Sequence, residues 1–117
     1  MSINERYRNE AQQRILKVVM VLFGHVVDGL SPSAIAREVN CSAAVMTRDL
    51  ANLREAGIAD RDEASGCWRL TPRLPQQAIK VWTAIDAAER RLQEAKQRFT
   101  RVPDGQSLSD MQTRFAK

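Results

Sequence analysis

The sequence holds 117 residues, 44% hydrophobic and 27% charged, which fits one globular domain with or without an appendage and excludes a wholly disordered chain. Its net charge of +4 suits a polyanionic partner, yet residues 1–73 hold ten Lys/Arg against nine Asp/Glu. Only a clustered basic face there would argue strongly for nucleic acid. From Glu5 to Val27 the pattern is helical: Ala11, Ile15, Val18, Leu22 and Val26 recur at steps of three and four, and Val19, Met20 and Phe23 widen the stripe. Asn4 is the expected N-cap, and Asp28-Gly29 the stop, with Gly29 in a left-handed cap.

Ser31-Pro32 restarts the chain as a helix, a hydroxyl cap followed by proline at the first helical position. This second helix spans Pro32–Val39, with Ile35, Ala36 and Val39 on one face, and Asn40-Cys41 breaks it. Ser42 caps a third helix that buries Met46, Leu50 and Leu53, runs to Ala56 and ends at Gly57. Ile58–Asp62 and Cys67–Thr71 then alternate around the polar loop Glu63–Gly66, the pattern of a β-hairpin with Trp68 and Leu70 facing the helices and Cys67 and Arg69 facing outward. From Pro75 to Phe99 the pattern is helical again. Leu74, Ala78, Val81, Ile85, Ala88, Leu92, Ala95 and Phe99 alternate steps of four and three, a heptad seam.

The fold class expected is mainly α with a small β-hairpin: a winged helix-turn-helix domain over residues 1–73, a coiled-coil-like dimerisation helix over 74–99, and a flexible tail over 100–117. Helix, short helix, tight turn, helix and hairpin in that order would project the third helix into the ~12 Å major groove, with the hairpin reaching the neighbouring backbone. Residues 12–73 also carry a resemblance. Ser31-Pro32-Ser33-Ala34-Ile35-Ala36-Arg37, Ser42-Ala43-Ala44-Val45-Met46-Thr47-Arg48, Leu50-Ala51-Asn52-Leu53-Arg54-Glu55-Ala56-Gly57-Ile58 and Ser65-Gly66-Cys67-Trp68-Arg69-Leu70 resemble the DNA-binding domain of IclR-type regulators. In that likeness Trp68 stands at the aromatic position of the wing and Arg48 at the arginine of the recognition helix. Cys41 replaces a larger aliphatic residue, and Asp49 stands where leucine is frequent. The large effector-binding domain of such regulators has no counterpart in the helix and tail that follow here, so small-molecule sensing is not carried over.

The DNA-binding candidates are Ser31, Ser33, Ser42, Ala43, Ala44, Thr47, Arg48, Arg61 and Arg69. Small side chains at Ala43 and Ala44 permit close approach, and alanine can touch a thymine methyl. Arg48 can fork onto guanine or a phosphate; the alternative is a solvated surface arginine. Ser42 caps its helix and leaves backbone N–H groups facing a phosphate. Arg61 and Arg69 are phosphate candidates, opposed by Asp60, Asp62 and Glu63 beside them.

The dimer-interface candidates are Val81, Ile85, Ala88, Leu92, Ala95 and Phe99, the alternative being that this helix packs back on its own domain. The partners expected are double-stranded DNA and a second copy of the chain. No 18-residue apolar run exists for a membrane, the polar start does not read as a signal peptide, and Cys41 and Cys67 lack CxxC spacing, so a cytoplasmic setting is expected. His25 is the only histidine and no glycine-rich phosphate loop exists; no catalytic residue, metal or cofactor is expected. A protein-interaction module that keeps the same body without reading DNA is the competing function.

Overall fold

The computed structural model describes residues 4–101, which are mainly helical with one small antiparallel sheet and a long C-terminal helix. After a single 3-10 turn at Glu5–Tyr7 the elements are α1 (Glu10–Phe23), α2 (Pro32–Val39), α3 (Ala43–Glu55), β1 (Ala59–Arg61), β2 (Trp68–Leu70) and α4 (Arg73–Thr100). The chain divides into two units between Gln76 and Gln77.

One capping device starts three of the helices. The side chains of Asn9, Ser31 and Ser42 accept the backbone N–H of Gln12 at 3.0 Å, Ala34 at 3.2 Å and Val45 at 3.2 Å, each satisfying a donor that the first helical turn leaves free. The first helix is therefore shorter than its periodicity predicts. Asn4 caps only the 3-10 turn, Arg8 is extended, and Asn9 begins α1 five residues late. At the other end Gly24 closes the helix on Val21 O at 3.0 Å, and the β-branched pair Val26-Val27 has little to gain by continuing it. Gly29 does take the left-handed conformation expected, φ 73°. A Cβ built there would overlap the carbonyl of Trp68, so a side chain at this position would force two backbones apart.

The core of the first unit is Val18 and Leu22 from α1, Ile35 and Ala36 from α2, Met46, Leu50 and Leu53 from α3, and Ala59, Trp68 and Leu70 from the hairpin. Each of its larger side chains contributes about 1.5–3 kcal/mol by leaving water. The hairpin register pairs Ala59 with Leu70, Asp60 with Arg69 and Arg61 with Trp68, which turns Trp68 and Leu70 inward and Arg69 outward, as the alternation predicts. Leu30 adds a pairing that no periodicity announces: it exchanges backbone hydrogen bonds with Trp68 at 2.9 and 2.8 Å. Arg54 covers the outer face of the Trp68 ring at 4.8 Å.

The wide apolar stripe of α1 is only half used. Met20 is 69% exposed, and Phe23 and Val26 also face solvent, whereas Val19 packs against the core; one helix presents one stripe to so small a core.

The last helix starts one residue earlier than the second domain expected. Pro75 falls within its first turn, where a missing N–H costs nothing. Leu74, counted in the heptad seam, packs instead against the core of the first unit. In the second unit Val81, Ile85, Ala88, Leu92 and Phe99 are exposed and Ala95 is half-buried; Ile79 and Trp82, off the seam, are exposed as well. The tail expected over 100–117 falls on Thr100, which is helical, on Arg101, and on residues 102–117, which lie outside the described residues.

Candidate nucleic-acid interface

Burying Met46, Leu50 and Leu53 on one side of α3 leaves Ala43, Ala44, Thr47, Arg48 and Ala51 exposed on the other, with Ser42 at its start. The spacing of three and four gathers the five helical residues on one face, and Ser42 caps the helix ahead of them. The face is shallow, because three of its side chains are methyl groups. Two hydroxyls on it are already engaged: Ser42 Oγ accepts the N–H of Val45, and Thr47 donates to Ala43 O at 2.9 Å. Both keep a free lone pair. Arg48 has no ion-pair partner among the described residues.

Ser31 and Ser33 stand at the start of α2, their hydroxyls 3.2 Å apart, with Ser31 also capping the helix. The α2–α3 turn is tight because Asn40 adopts φ 57° and Cys41 N–H returns to Ala36 O at 3.0 Å. α3 packs against both α2 and β1.

The hairpin arginines are less free than Arg48. Arg61 reaches Glu63 at 3.3 Å, and Arg69 donates to the Val27 carbonyl at 3.2 Å. Asp62 organises the loop between them. It accepts the N–H of Ala64 at 3.0 Å and the hydroxyl of Ser65 at 3.1 Å, and these bonds, the backbone one first, hold its carboxyl below the usual carboxylate range. The loop thus carries fixed negative charge at neutral pH, which opposes close approach to phosphate.

Sequence reasoning missed a polar pair behind the face. Arg14 of α1 grips the carboxylate of Asp49 on α3, and Asp49 is 6% exposed. Its bond to Asp49 raises the Arg14 pKa above the ordinary arginine value. The signal available was an aspartate on the inner row of α3, between Met46 and Leu53; nothing local marks Arg14 as its partner. No described helix is long and apolar enough to cross a membrane. No family model matches the chain, and neither the curated proteins nor the solved structures compared with it give a match.

Proposed function

We propose that this protein is a winged helix-turn-helix regulator that binds double-stranded DNA as a dimer. In this reading α2 and α3 form the helix-turn-helix, α3 is the recognition helix, and the β1–β2 hairpin is the wing. The observation that carries it is the exposed face of α3, where Ala43, Ala44 and Ala51 lie beside Thr47 and an Arg48 that has no ion-pair partner among the described residues. Small side chains let a helix settle deep in the major groove, and a lone arginine among them can fork onto guanine O6 and N7. Ser31, Ser33 and Ser42 start two helices, where backbone N–H groups favour phosphate. The likeness of residues 12–73 to IclR-type DNA-binding domains supports the same assignment.

Dimerisation falls to the seam of α4. Val81, Ile85, Leu92 and Phe99 are large apolar groups left exposed at heptad spacing, and a second copy of the helix would cover them. Two α3 helices would then meet a two-fold site. No catalytic role, metal or cofactor belongs to this proposal. Cytoplasmic placement goes with it.

A second reading has its own observation. Leu16, Met20 and Val27 leave an apolar face on the first unit, and the wing arginines are engaged locally, as befits a protein-interaction module. Selection of bound duplexes from a random pool separates the two. The expected outcome is enrichment of a two-fold site whose half-sites lie about 34–36 Å apart, or a multiple of it. Recovery of no preferred duplex favours the protein-interaction module.

A further inference from the structure

Arg14 donates from Nε to Asp49 Oδ2 at 2.6 Å and from Nη2 to Oδ1 at 3.1 Å, a two-pronged bond across residues 35 positions apart. Asp49 is the single buried charged residue among the described residues. It lies on α3 next to Arg48, with one side chain turned to the body and the other to solvent. α3 packs chiefly on α2 and β1, and α1 chiefly on α2 and β2, so this fork is a direct polar tie between α1 and α3.

Such a pair is a poor device for stability. Asp49 is taken out of water while Arg14 stays 22% exposed; the desolvation offsets much of their attraction, and apolar residues of similar volume often replace a buried pair without loss. Direction is what it supplies. Met46, Leu50 and Leu53 make apolar contacts that carry no preferred direction, whereas a bidentate fork fixes direction as well as distance. A turn of about 20° would carry a side-chain tip ~6 Å from that axis through ~2 Å, which is more than a hydrogen bond to a base edge can absorb.

We propose that Arg14 and Asp49 are positioning residues: their fork sets the rotation of α3 and through it the sequence discrimination of Arg48 and Thr47. This rests on the DNA-binding reading above. The test compares the parent with the double variant Arg14→Met, Asp49→Leu on a preferred and a scrambled duplex, with thermal unfolding followed in parallel. The expected result is a fold at least as stable as the parent, unchanged binding to the scrambled duplex, and about tenfold weaker binding to the preferred one. Arg14→Lys keeps the charge and loses the fork. It should lose discrimination too, and it serves if the double variant does not fold. Folded variants that discriminate as the parent does overturn the positioning role alone. A parent that prefers no duplex overturns the DNA reading and this role with it, and that outcome is visible before any variant is measured.

Discussion

Raising salt from about 50 to about 200 mM is expected to weaken duplex binding by about 10²-fold. The figure follows from counting cations. Arg61 and Arg69 in each of two protomers can neutralise four phosphates, and each contributes about −0.9 to the slope of log affinity on log salt. The local partners of the wing arginines make the measurement informative. Arg61 must leave Glu63, 3.3 Å away, and Arg69 must leave the Val27 carbonyl, 3.2 Å away. If one arginine of each wing stays where it is, only two phosphate contacts remain and the loss falls to about tenfold. An anisotropy titration at several salt concentrations distinguishes these cases, and salt-independent binding contradicts a phosphate interface altogether.

The second large effect concerns α4. Ile85→Asp should convert a dimer into monomers and weaken binding to a two-fold site by about 10²–10⁴-fold. Ile85 is 44% exposed in the single chain, so the aspartate stays in water and costs nothing there. Between two seams it would be buried without a partner, which is unfavourable by several kcal/mol. Loss of the second, tethered half-site then removes the avidity that linkage provides. The thermal transition of the first unit should be unchanged, because Ile85 lies outside it. Sedimentation checks the first part of the expectation and titration the second. A parent that already sediments as a monomer contradicts the seam.

Local grammar carried much of this fold. Ser31-Pro32 and Asn40 bracket α2 at the residues where the helix begins and ends; Ser42 caps α3, which ends at Glu55, one residue before the expected Ala56, with left-handed Gly57 just beyond. The inward set Met46, Leu50, Leu53, Trp68 and Leu70 follows from periodicity alone. The first helix misled because two asparagines compete to cap it and an apolar stripe cannot report which of its edges the core will cover. Leu30 pairs with Trp68 as a single residue, too short to leave a pattern. At the candidate interface the exposed face of α3 was legible as the complement of its buried face. So was the acidic neighbour Glu63 that Arg61 meets; the partners of Arg69 and Asp49 were not, since each depends on a chain reversal that residue spacing does not encode.

The central claim is that α3 reads bases, and one paired titration tests it most directly. Arg48→Ala and Arg69→Ala are each measured on the duplex recovered by selection and on a scrambled one. Both side chains are exposed, so neither change should move thermal stability by more than about 0.5 kcal/mol. Arg48→Ala is expected to cost about 1–3 kcal/mol on the selected duplex and much less on the scrambled one. Arg69→Ala should weaken both alike. Equal losses on the two duplexes for Arg48→Ala, or no loss on either, contradict a reading role for α3.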